Sequence, residues 1–135
     1  MLVVDASAVA ELLLARPAAE HVERHIASHG YELHAPQLLD IEVVSALRRV
    51  VASGEASTDR AAEAVTDLLD LPVERYAHDI LVTRVWELRD NFSAYDATYL
   101  ALAEALTDAV LLTGDAALAG RARASLGDDR VRHVV

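Results

Sequence analysis

The sequence predicts an α/β fold, a three-layer sandwich in which a central parallel sheet is covered by helices on both faces. Short apolar runs alternate with segments of helical period, and the runs at residues 2–5 and 109–113 are almost continuously apolar, as strands buried on both faces are. A chain of 135 residues, 53% of them hydrophobic, also suffices for one core, so residues 1–135 are read as a single domain.

Residues 2–5 (LVVD) form the first strand, and Ser7 stands where it can cap a helix running through ELLLA. Pro17 opens a second helix to about residue 28, stopped by Gly30, and residues 31–35 are short and extended. Pro36 starts the third helix, in which Leu39, Val43, Ala46, Leu47 and Val50 share one face with Glu42 on its edge, and Gly54 ends it. Ser57 or Thr58 caps a fourth helix through Leu69, and residues 72–76 form a strand. Residues 79–90 form a helix whose Ile80, Val82, Val85, Trp86 and Leu88 are assigned to the core. Ser93 begins the helix SAYDATYLALAEAL, residues 109–113 form a buried strand, Gly114-Asp115 leads into a small helix to about residue 125, and residues 130–135 close the chain as a strand. No linker, repeat or low-complexity stretch interrupts this order.

Composition narrows the chemistry. The chain has no cysteine, which excludes a disulfide framework, a cysteine nucleophile and thiolate metal sites. All 12 basic residues are arginine, which excludes any mechanism that needs a catalytic lysine. The net charge of −10 argues against a general nucleic-acid coat protein, which binds by clustered cations. It leaves a nuclease open, because carboxylates that hold divalent cations add to formal negative charge while the cations cancel it locally. No basic leader and no apolar stretch of about 18 residues is present, so a cytoplasmic protein without a membrane span is expected.

Asp5 follows the first strand and Asp115 follows the buried strand at 109–113, each just before a helix. In an open α/β sheet both then stand at the carboxyl edge, where ligands bind. Asp96, in the first turn of its helix, and Glu42 are placed to join them. Each acid has a structural alternative: Asp115 as an N-cap, Asp96 in a capping box with Ser93, Asp5 against a helix dipole, Glu42 as a solvated flank. The hydroxyls of Ser7 and Thr113, each two residues from an acid, favour the functional reading. Hard oxygen ligands without cysteine suit Mg²⁺ or Mn²⁺ and disfavour zinc.

The segments VVDASA, PQLLDIEVVSALRR, SAYDATYLALAEAL and LLTGDAALA resemble, in order and across nearly the whole chain, the four acidic motifs of PIN-domain ribonucleases, and of the VapC-type toxins among them. The resemblance implies a PIN-like sandwich, a homodimer, a small antitoxin partner, and Mg²⁺-dependent endonuclease action on RNA that leaves a 5′-phosphate and a 3′-hydroxyl. It carries the family's acidic positions onto Asp5, Glu42, Asp96 and Asp115 as catalytic and metal-binding residues, with Asp5 and Asp96 foremost. Thr113 and Ser7 match its hydroxyl positions. Some relatives have a further acid after the last motif; here that stretch reads Ala116-Ala117, so a second metal would have fewer ligands.

Other features have plainer readings. His21, His25 and His29 recur every four residues and so share a helix face, either solvated or able to take a metal. Tyr95 and Tyr99 flank Asp96, as core residues or as platforms for an RNA base. Arg16, Arg48, Arg49 and Arg89 are candidates for phosphate contacts. Two rival functions are a haloacid-dehalogenase-like phosphatase, for which Asp5-Ala6-Ser7 lacks the second aspartate and the chain lacks the lysine, and a PIN fold that only binds.

Overall fold

The computed structural model describes residues 1–135. Its strands are β1 (Leu2–Val4), β2 (Leu33–Pro36), β3 (Val73–Tyr76), β4 (Val110–Thr113) and β5 (Val131–His133). Its helices are α1 (Ala6–Leu13), α2 (Ala19–Ser28), α3 (Leu38–Ala52), α4 (Thr58–Asp70), α5 (Val82–Glu87), α6 (Ala94–Ala105) and α7 (Ala116–Leu126), with a 3₁₀ turn at Asp128–Arg130. The strands form one all-parallel sheet in the order β3-β2-β1-β4-β5.

That order fixes where a site can be. The chain moves outward from β1 through β2 to β3, then returns to lay β4 on the other side of β1 and continues to β5. Right-handed crossovers in opposite directions put their helices on opposite faces. Accordingly α1 to α4 pack among themselves, and α5 to α7 form a second set. The reversal falls between β1 and β4, the topological switch point at whose carboxyl ends α/β sheets bind ligands. Sequence alone carries no strand order.

Leu2, Val3, Val4, Leu111 and Leu112 are shielded on both faces, which explains their unbroken apolar runs. On α6, Ala97, Ala101 and Ala103 are buried, and their small side chains let the helix lie close on the sheet. Arg130 fastens the end of that helix: its guanidinium donates to the carbonyls of Ala103 (2.6 Å), Leu106 (3.1 Å) and Ala109 (2.9 Å). Arg130→Met leaves three part-buried carbonyls without this donor and is expected to lower unfolding free energy by about 2 kcal/mol in urea titration.

Several expectations need correction. The N-cap of α1 is Asp5, whose carboxylate accepts from the Ala8 N–H, and Ser7 lies inside the first turn. The reason is that the Val9 N–H already pairs with the Asp5 carbonyl (3.1 Å), so the helix begins directly after the strand, while the Ser7 hydroxyl is engaged by the Gly114 N–H. Pro17 precedes α2, which starts at Ala19. Pro36 ends β2 and does not open α3; it lies beyond the β1 pairing, where its missing N–H costs no ladder bond.

The helix expected over 79–90 shrinks to Val82–Glu87, and Trp86 is 66% exposed, with Ile80 at 67% and Val82 at 57%. Helical period cannot say which stripe is buried: Leu81, Val85 and Leu88 pack on the core and the other stripe faces outward. The Arg89 guanidinium lies 4.4 Å from the centre of the Trp86 ring.

Candidate active site

Asp5 sits where β1 turns into α1, and its side chain is tied down at both oxygens. Oδ1 accepts from the Ser7 hydroxyl (2.7 Å) and the Ala8 N–H (3.0 Å), and Oδ2 accepts from the Thr113 hydroxyl (2.5 Å). Asp5 is only 5% exposed, and burial pushes its carboxyl pKa up to about 6, with the neighbouring Asp115 charge adding to the rise and the three hydrogen bonds opposing it.

Thr113, the last residue of β4, has no solvent exposure and also accepts the Asp115 N–H (2.9 Å). Ser7 accepts the Gly114 N–H (2.8 Å). A Cβ on Gly114 would meet the Ser7 Oγ at 3.2 Å, so at this tight join between β4 and α1 a larger residue would push the Ser7 hydroxyl by a few tenths of an ångström. Hydroxyls and backbone thus lock the Asp5 rotamer from α1 and β4 at once. The role of Gly114 was not read from the sequence, although its place between Thr113 and Asp115 was a signal for it.

Asp115 caps α7 by accepting from the Ala117 (2.9 Å) and Leu118 (3.1 Å) N–H groups through one oxygen, Oδ1. Asp96 enters from the start of α6. Ser93 accepts the Asp96 N–H (3.1 Å), but the Asp96 carboxylate does not return the bond to Ser93, so only half of the expected capping box forms. Its pKa is raised by burial and by Asp115, and Arg121 acts against the rise. Glu42, half-buried on α3, is raised in the same way by burial and by the Asp96 charge, while Tyr99 and Arg49 oppose.

The four carboxylates, brought from segments distant in sequence, line one cavity of about 220 Å³ together with Ser7, Arg49 and Tyr99. Tyr99 is buried, and its hydroxyl meets no partner with hydrogen-bonding geometry, although Glu42 lies close enough to push its pKa well above the ordinary phenol value after burial has done so. This orphaned hydroxyl, three raised carboxyl groups and an all-oxygen donor set fit a hydrated divalent cation. No three of the acids close on one point, so an ion here would take few protein oxygens and keep several waters, as Mg²⁺ does.

Residues outside this cavity behave otherwise. Tyr95 is exposed. His21 approaches the Val135 carbonyl (3.1 Å) and His29 the His25 carbonyl (2.8 Å), and the three histidines form no metal-holding group. Burial and the neighbouring positive charges hold His25 below the usual histidine range.

Comparison with known proteins gives concordant matches. The family model described as PIN domain matches residues 2–124. The chain is 46% identical over 118 residues to Ribonuclease VapC1 of Mycobacterium tuberculosis, covering 87% of each. It is 38% identical to Ribonuclease VapC12 of the same organism, covering 88% of this chain and 90% of that protein. With VapC ribonuclease Mb0985 of Mycobacterium bovis it shares 41% identity, covering 92% and 93%. The crystal structure of PAE2754 from Pyrobaculum aerophilum superposes with a TM-score of 0.64 at 25% identity, covering 89% of this chain and 78% of that one.

Proposed function

This chain belongs to the PIN-domain family, among its VapC ribonucleases, and from that premise we propose that it is a Mg²⁺-dependent endoribonuclease, the toxin of a type II toxin–antitoxin pair. The observation that carries the reading is the meeting of Asp5, Glu42, Asp96 and Asp115 in one cavity at the switch point of the sheet.

In this reading Asp5 and Asp96 are the principal ligands, with Asp115 and Glu42 completing the negative wall. Mg²⁺, or Mn²⁺ in its place, supplies Lewis acidity toward the phosphate and lowers the pKa of water. The protein's own part is positional. Thr113 and Ser7 hold Asp5 in one rotamer, so its carboxylate needs no reorganisation when the substrate arrives. Asp115, with one oxygen engaged by the α7 cap, keeps the other for the cavity. Glu42 and the Tyr99 hydroxyl are placed to orient water on the α3 side. The substrate is an RNA taking part in translation: a transfer, ribosomal or messenger RNA.

The partner is a small antitoxin protein, and the net charge of −10 favours a basic one whose arginine enters among the acids. The apolar stripe of Ile80, Val82 and Trp86 supports a homodimer, since an exposed tryptophan among aliphatic residues suits a protein interface. No helix is long and apolar enough to cross a membrane, and the proposed location is the cytoplasm.

The test is incubation of antitoxin-free protein with total RNA, with Mg²⁺ or with chelator, beside Asp96→Asn protein shown to be folded by circular dichroism. Discrete Mg²⁺-dependent fragments that drop by about 100-fold or more in the variant are expected. Folded, Mg²⁺-supplied wild type that cuts no RNA refutes the nuclease reading and leaves a PIN fold that only binds.

A further inference from the structure

The acidic cavity is too small for a nucleotide. Its volume of about 220 Å³ lies below the range of roughly 300–1,000 Å³ for pockets that take small organic ligands. It opens beside a second cavity of about 480 Å³, and the two share Ser7, Ala46 and Arg49 as a common wall. The second cavity reaches from that wall past Gly114 to Arg16 and Pro17, so the two form one groove whose narrow end holds the carboxylates.

A polyanion can follow this groove only if some cation meets it. Arg16, the other basic residue lining it, is occupied: its guanidinium pairs with Glu55 at 2.7 Å and approaches Glu11 at 3.6 Å. Arg49 forms no ion pair. Its one side-chain hydrogen bond is to the Ser45 hydroxyl (3.1 Å), a neighbour one turn back on α3, and it is exposed. It also lies two turns beyond Glu42 on α3, so it faces the same side of the helix as the site. Most other arginines are spent elsewhere, Arg75 on Asp40, Arg84 on Glu104 and Arg130 on backbone carbonyls.

We propose that Arg49 is a substrate-binding residue that grips the phosphate next to the scissile one and leads the RNA from the carboxylate cavity into the adjoining groove. This rests on the ribonuclease reading. A guanidinium suits the task, because its planar fork matches two phosphate oxygens. Placed at the mouth of a strongly acidic site, it also lowers the repulsion that the approaching backbone meets from Glu42.

The experiment measures binding of a fluorescently labelled single-stranded RNA of mixed sequence to Asp96→Asn protein, with and without Arg49→Gln, across a salt series. Cleavage by the wild type, Arg49→Gln and Arg49→Lys is measured in parallel, with a Mn²⁺ titration of each. The expected result for Arg49→Gln is weaker RNA binding, a salt slope lower by about 0.7 as one phosphate contact is lost, and KM raised severalfold with kcat and Mn²⁺ affinity little changed. Arg49→Lys keeps the slope. A merely structural role would not move the slope. An unchanged slope and KM in Arg49→Gln overturns the proposal, as does a loss confined to kcat and Mn²⁺ affinity, which would make Arg49 a partner of Glu42 only. RNA bound through Arg49 but never cut would keep Arg49 as an RNA-binding residue and sink the nuclease reading, whereas cutting that ignores Arg49 would overturn the proposal and keep that reading.

Discussion

Asp5→Asn is expected to abolish RNA cleavage and, in chelator at pH 8, to make the protein more stable than the wild type. The two effects have one cause. Asp5 is buried and its folded pKa, about 6, lies above the ordinary value of 3.8. A raised carboxyl pKa favours the fold while the group is neutral, so the contribution is fully present below about pH 4 and is lost as pH rises through 6. At pH 8 the wild type carries a buried anion that costs on the order of 3 kcal/mol relative to a neutral group. Asn removes the charge and keeps an oxygen for the Ala8 N–H and the Ser7 hydroxyl. Urea unfolding at pH 5 and pH 8 should show the gap between variant and wild type widening at the higher pH. If Asp5 is a metal ligand as proposed, adding Mg²⁺ at pH 8 should close the gap by stabilising the wild type alone. Cleavage should fall by about 100-fold or more. A variant less stable than the wild type at pH 8 in chelator, or one that still cuts RNA, would contradict this account of the site.

Leu111→Ala is the other change expected to have a large effect. Leu111 has no solvent exposure and lies in β4, paired with Val3 of β1 on one side and Val131 of β5 on the other. Truncation removes the burial of the lost methyl groups and leaves a cavity that a sheet, pinned by its ladder, cannot close, at a cost of about 3–5 kcal/mol. Against a total stability of roughly 5–15 kcal/mol that is a large share, and the melting temperature should drop by about 10–20 °C. Leu111→Met, which nearly conserves volume, should cost less than about 1.5 kcal/mol. If calorimetry finds the two variants alike, the centre of the sheet is looser than its burial implies.

Much of this architecture was legible because burial on both faces writes itself as unbroken apolar runs. The strands around Val3 and Leu111 could be read that way, as could α3 from its stripe of Leu39, Val43, Leu47 and Val50. The cap of α1 falls on Asp5 and not on Ser7, although both residues are good caps two positions apart, because the Ser7 hydroxyl is engaged by the distant Gly114 N–H, a tertiary fact. Trp86 was assigned to the core because an apolar stripe looks the same whether it faces a sheet or another molecule. Asp5, Asp115 and Asp96 are legible from their places after strands and at a helix start, Glu42 from the edge of a helix face and from the family resemblance. That Glu42 and Asp96 join the other two acids is expected from the sequence and the resemblance, but the geometry by which they reach one cavity follows from strand order and from which face each crossover takes.

The buried alanines of α6 carry a consequence beyond close packing. Glu42 is carried by a helix of one layer, while Asp96 and Asp115 are carried by helices of the other, so the spacing of the carboxylates is the thickness of the sandwich measured at its edge. Ala97, Ala101 and Ala103 act as shims that set this thickness on one side. A larger residue at any of them would do more than strain the core. It would open the jaws of the acidic cavity, so the choice of alanine deep under the helix also sets the gauge of the chemistry at its tip.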